Sequence, residues 1–127
     1  MISKKLLEFQ KLGITLKKDK ENPFFKSNYS SLNEVLEKVE EKLNEVGIVI
    51  VSEPTIGGLR TRLVDTEDDT EIFGIMPWVG CDTAQKILAS TTYYRRGTLV
   101  ALLNLESEDD DGNEAVGQKI KTTNRDF

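Results

Sequence analysis

DTAQKILASTTYYRRGTLVALLNL, Asp82 to Leu105, is the longest helical pattern in the 127-residue chain. At about 100° per residue, Leu88, Thr92, Leu99 and Leu103 fall on one arc, with Leu102 beside it. Asp82 followed by Gln85 has the spacing of a helix N-cap and its returning side chain. Arg95 falls inside the apolar arc and Arg96 at its edge. A cation placed there lies along the stripe to reach water, meets a carboxylate, or faces a negatively charged partner. The opposite face, Ser90, Gly97, Ala101 and Asn104, is small and weakly polar. Gly97 costs about 1 kcal/mol against alanine in mid-helix, and close approach by another backbone is one reason to keep it. This pattern is more than a simple surface helix.

Upstream, three short runs predict strands. Ile48 to Ser52 is rich in β-branched residues, and Pro54 with Gly57-Gly58 turns the chain. Leu59 to Val64 alternates, placing Arg60 and Arg62 on one face. Glu71 to Val79 reads as a third strand, with Gly74 at the place of a bulge and Pro77 marking an edge or end. Connections this short predict an antiparallel three-stranded meander. It is backed by the long helix over 83–104 and by a second over 31–46, where Ser31 and Glu34 form a capping box and Gly47 a stop. The fold class is α+β.

Nearer the start, residues 3–12 predict a short amphipathic helix carrying Leu6, Leu7, Phe9 and Leu12, ended by Gly13. The stretch NPFFKSNYSSL, Asn22 to Leu32, then sets Phe24, Phe25 and Tyr29 around Lys26 in an irregular segment. Two readings are open: aromatic plugs anchoring a loop to the core, or the basic, aromatic surface that single-stranded nucleic acid prefers. Tyr93-Tyr94-Arg95-Arg96 has the same two sides. The tyrosines can pack between helix and sheet with the arginines on sheet carboxylates, or the arginine forks can hold phosphate. Lys86, Arg60 and Arg62 extend such a patch if the second strand lies near the helix.

Composition narrows the chemistry. Charged residues make up 31% and hydrophobic ones 38%, as in a soluble globular domain. There is no histidine and one cysteine, Cys81, which excludes histidine-based catalysis, histidine-ligated metal sites, a thiolate zinc site and an intrachain disulfide. Neither GxxxxGK[ST] nor GxGxxG occurs, so nothing supports nucleotide-driven work. No apolar run approaches a membrane span, and the first residues lack a secretory pattern. The lone cysteine fits a reducing cytosol. The net charge of −5 is unevenly placed. Seven of the 22 acids and three of the 17 bases lie from Glu106 onward, leaving 15 acids and 14 bases in residues 1–105. A near-neutral body can carry a basic groove. We divide the chain into a domain over 1–105 and an acidic, flexible tail over 106–127. Asp109-Asp110-Asp111-Gly112-Asn113 fails the calcium-loop pattern at both ends, Ser107 and Gln118, so no metal is expected.

Three blocks in order resemble the ERF family of phage single-strand annealing proteins. That family's first block runs approximately N-P-x-F-K-S-x-Y-x-x-L, matched by Asn22, Pro23, Phe25, Lys26, Ser27, Tyr29 and Leu32. Its second, Q-x-x-G-S-x-x-T-Y-x-R-R-Y-x-L-x-x-L-L-G, is matched by Gln85, Thr92, Tyr93, Arg95, Arg96, Leu99, Leu102 and Leu103. An acidic D-D-x-G-N-type stretch follows, matched by Asp110, Asp111, Gly112 and Asn113. The chain departs at Leu88-Ala89, where the family has Gly-Ser, at Gly97 for tyrosine, and at Asn104 for glycine. The usual His-x-Ser-Gly context is missing between Thr70 and Val79.

The resemblance implies a Rad52-like β-β-β-α core that assembles into rings or helical filaments. It implies ATP-independent binding of single-stranded DNA and annealing to a complement in phage homologous recombination, without catalysis or cofactor. Expected partners are single-stranded DNA, the annealed duplex, further copies of the chain, and a phage exonuclease or host single-strand-binding protein. The expected place is the cytoplasm of a bacterial host, from a phage or prophage gene, with no membrane. The candidate DNA contacts are Arg95, Arg96, Tyr93 and Lys86, then Lys26, Phe25 and Tyr29, with Arg60 and Arg62. Two other classes stay open: a non-catalytic phage accessory module, and a metal-dependent nuclease using the acidic run.

Overall fold

The computed structural model describes residues 1–16, 20–22, 27–29 and 31–107. Along the chain these form α1 (Ile2–Gln10), β1 (Thr15–Leu16), β2 (Lys20–Asn22), β3 (Ser27–Tyr29), α2 (Leu32–Glu45), β4 (Ile48–Thr55), β5 (Gly58–Asp65), β6 (Glu71–Met76), α3 (Ala84–Leu102) and β7 (Glu106–Ser107). The expected meander is present: β4, β5 and β6 form an antiparallel sheet in that order. Its register runs from Ile48↔Asp65 to Thr55↔Gly58, and from Leu59↔Met76 to Val64↔Glu71. The fold is α+β. No described helix is long and apolar enough to cross a membrane.

Alternation along β5 decides what the sheet covers. Leu59, Thr61, Leu63 and Asp65 are buried on one face, while Arg60, Arg62 and Val64 lie on the other. All three helices serve the buried face. Val35, Val39 and Leu43 of α2 recur at helical spacing and are fully enclosed, meeting Ile48, Leu63, Leu99 and Leu103 in one core. The capping box of α2 is as expected: the Glu34 N–H donates to Ser31 Oγ at 3.1 Å, and the Ser31 N–H to Glu34 Oε1 at 2.8 Å. Gly47, at φ +90°, stops the helix.

Several local expectations are corrected. Ile2 and Phe9 of α1 are buried in the core and Leu6 packs against it; Leu7 and Leu12 stay exposed. The stretch expected to be irregular contains a strand pair, β2 with β3, aligning Lys20 with Tyr29 and Asn22 with Ser27. β4 runs on through Pro54, which an edge strand tolerates, and the turn is only Ile56-Gly57. Gly74 is not a bulge. It pairs regularly with Thr61, and a Cβ there would meet the Thr98 methyl at 3.2 Å. The backbone approach anticipated at Gly97 is not found among the described residues: beside Gly97 lies the flexible tip of Met76, at 3.7 Å, and the tight contact is the one a side chain makes at Gly74. Thr83, not Asp82, caps α3, accepting from the Lys86 N–H at 3.1 Å. At the other end Asn104 takes φ +54° while the Leu105 N–H reaches the Val100 carbonyl at 3.0 Å. That left-handed closing position suits glycine first and asparagine next, which accounts for the departure from the family pattern there. Glu106 and Ser107, placed in the tail by the sequence reading, pair in parallel with Thr15 and Leu16. Residues 108–127, with the acidic run, lie outside the described residues.

One charged group is built into this core. Asp65 is fully buried, and Lys5 Nζ at 2.8 Å, aided by the Glu67 N–H, holds its carboxyl below the usual range. Nearby, the backbone N–H and hydroxyl of Thr70 pull Asp68 down to about 2. A carboxylate with a lowered folded value stabilises in full above its unfolded value of about 3.9, and that contribution fades as pH falls through the folded value. The thermal midpoint is therefore expected to drop between about pH 4 and pH 2, and Lys5→Met to flatten part of that drop. Equal acid slopes for Lys5→Met and the parent chain, followed by circular dichroism, would show that the Lys5–Asp65 contact contributes nothing.

Candidate functional site

The helix α3 divides into two halves. Its second half is core: Thr98 and Leu99 are buried, and Leu102 and Val100 pack against them. The first half runs past the sheet, so Leu88 is 71% exposed although it shares the apolar arc with Leu99. The β6–α3 connection anchors this free half. Tyr94 lies against Trp78 with ring centroids 5.7 Å apart, and Trp78 Nε1 donates to the Thr55 carbonyl at 2.8 Å. Cys81 Sγ sits 3.2 Å from Ser90 Oγ. Burial, with the Cys81 sulfur beside it, pushes the Tyr94 hydroxyl up, so it stays neutral and structural. Of the two adjacent tyrosines, Tyr94 is the packing residue and Tyr93, 61% exposed, is the presented one.

Successive residues 100° apart also separate the two arginines. Arg96 shares an arc with Lys86, Ala89 and Tyr93, and this face turns to the capped end of α2. Between them lies a groove of about 230 Å³ lined by Ser31, Leu32, Ala89, Thr92, Tyr93 and Arg96. Lys86 stands near the start of this face in an exposed pair with Asp82 at 3.1 Å, a contact weak enough to be exchanged. Arg95 points along the core arc instead. Its Nε is buried, as is Thr98 Oγ1 one turn on, and neither has a hydrogen-bond partner among the described residues.

Arg60 and Arg62 do not join this face. They lie on the outer side of the sheet, away from α3, because β5 alternates and α3 packs over Gly74 and Met76. There they form a ladder of ion pairs: Arg60 with Glu53, and Arg62 with Glu71 at 2.8 Å and Glu53 at 3.5 Å. Glu71 holds the Arg62 guanidinium above its ordinary value. Arg60 also covers the Phe73 ring at 5.5 Å. Lys26 and Phe25 lie outside the described residues. Tyr29 ends β3, two positions before the Ser31 cap that borders the groove, and its side chain is likewise outside them. The groove's small and apolar lining, Leu32, Ala89 and Thr92, was missed by sequence reasoning. The available signal was the i, i+4 pair Ala89–Tyr93, with Thr92 and Arg96 set at the same interval.

The fold and this face define an α+β protein with a shallow groove bordered by an aromatic ring and a cation. The ERF superfamily model matches residues 2–126, and the chain belongs to the ERF superfamily, as the three sequence blocks implied. No curated protein matches the chain significantly. No solved structure does either.

Proposed function

We propose that the chain binds single-stranded DNA and anneals it to a complementary strand without nucleotide hydrolysis, in phage recombination. Membership of the ERF superfamily supports the class. The observation that carries the reading to residues is the Lys86–Tyr93–Arg96 face of α3 beside the capped end of α2. Pairing two strands is downhill by itself, so the protein needs only to lower phosphate repulsion and hold bases within reach. Annealing then requires neither a catalytic group nor a cofactor.

Self-association into a ring or helical filament belongs to the same proposal, as do action in the bacterial cytoplasm and cooperation with a phage exonuclease or host single-strand-binding protein. Val49, Phe73 and Ile75 on the outer sheet face and Leu88 on α3 are exposed apolar residues that support contact between copies. Arg60 and Arg62, on the outer side of the sheet, stand as secondary DNA candidates; Arg96, which lines the groove, is the first.

The test is salt-dependent binding to an oligonucleotide, alongside annealing of two complementary oligonucleotides without ATP. Each lost phosphate contact reduces the log–log salt slope by about 0.7 on a single strand. Arg96→Ala is expected to remove about that much, and Arg95→Ala with Arg96→Ala up to about 1.4. An unchanged slope in a folded double variant would exclude both arginines. Failure of the parent chain to bind at low salt would favour the accessory-module class.

A further inference from the structure

We propose that the groove between the start of α2 and the first half of α3 seats one unpaired nucleobase by its faces, leaving its pairing edge open. This rests on the single-strand reading above and adds how the strand is held. The groove offers small and apolar surfaces beside an aromatic ring. Leu32, 7% exposed, lies at the start of α2; Ala89 and Thr92 offer small surfaces; and Tyr93 stands beside them, 61% exposed. An exposed tyrosine ring lining a hollow is available for stacking without first having to be unpacked.

The polar inventory points the same way. Ser31 lines the groove from the α2 cap, and that cap engages both its N–H and one lone pair of its Oγ. Its Oγ accepts the Glu34 N–H at 3.1 Å, and its own N–H donates to Glu34 Oε1 at 2.8 Å. Among the described residues no amide or carboxylate side chain lines the groove, so the paired donor-and-acceptor reading that distinguishes adenine or cytosine has no counterpart among them. Arg96, at the margin, suits the flanking phosphate by its forked geometry. Binding of this kind tolerates every base, since each has a π-face. It also leaves the hydrogen-bonding edge to water and hence to an incoming complementary strand. A protein that gripped the edge would have to release each base before pairing; one that grips the face does not.

The experiment compares an oligothymidylate with an abasic oligonucleotide of equal length and equal phosphate count. Tyr93→Ala is expected to weaken oligothymidylate binding by roughly 5- to 150-fold, the range for one stacked base, with the salt slope unchanged. Abasic binding should stay as in the parent chain, and Tyr93→Phe should restore the oligothymidylate affinity. Ala89→Leu fills the groove from the same α3 wall, one turn before Tyr93, and should reproduce the base-selective loss with Tyr93 in place. Equal losses on both oligonucleotides, or no loss on either, would overturn the seat while leaving single-strand binding intact. A parent chain that binds neither oligonucleotide would overturn the broader reading with it.

Discussion

Gly58→Ala is expected to destabilise the protein by about 3 kcal/mol or more, combining backbone strain with overpacking. Gly58 opens β5 at φ +151°, a conformation that residues with a Cβ rarely adopt. A Cβ there would fall 2.2 Å from the Met76 carbonyl oxygen and 2.7 Å from its carbon. Those are backbone atoms of the neighbouring strand, so no side chain can swing aside to make room. Relief requires parting β5 from β6 at the Leu59↔Met76 end, where Trp78 is tied back to Thr55. Gly57→Ala is the control: its Cβ would meet only Thr55 Oγ1, at 4.0 Å, and a change within about 0.5 kcal/mol is expected. Urea midpoints with unchanged slopes would report both effects as stability. Similar midpoints for the two variants would refute the clash.

Leu99→Ala is expected to cost about 2–5 kcal/mol, whereas Leu88→Ala, on the same arc of the same helix, should shift stability by no more than about 0.5 kcal/mol. Leu99 has no exposed surface and packs where α2, α3 and the sheet meet, so its removal leaves a cavity walled by three elements. Leu88 is 71% exposed. Chemical denaturation of the two variants decides the matter, and comparable losses would show that the first half of α3 is packed as tightly as the second.

That pair of leucines also shows what the sequence could reveal. Periodicity ranks Leu88 and Leu99 alike, because it reports the direction in which a side chain leaves the helix and not where the sheet ends beneath it. The meander was legible for a stronger reason: alternation in β5 and connections too short for crossovers leave one pairing pattern. Ser31, Glu34 and Gly47 were legible because caps are local chemistry. Arg60 and Arg62 were correctly placed on one strand face. Which side α3 would cover depended on Gly74, whose missing side chain admits Thr98, and a lone glycine in a strand reads equally well as a bulge. The groove was visible only in part. Tyr93 and Arg96 stood out by type, but Leu32, Ala89 and Thr92 became its lining only when two distant helices met.

The ladder of ion pairs limits how firmly any one copy can hold a polyanion. Arg60 and Arg62 lean on Glu53 and Glu71, Lys5 on Asp65, and Lys86 on Asp82. Four of the chain's 17 lysines and arginines are thus answered at home, and a passing strand has to compete with a carboxylate at each of them. Under the proposed function, residence on DNA then has to come from many weak hands along one strand, growing steeply with its length. A hold assembled from small parts can slip one subunit at a time, letting a misaligned pair of strands part and try another register.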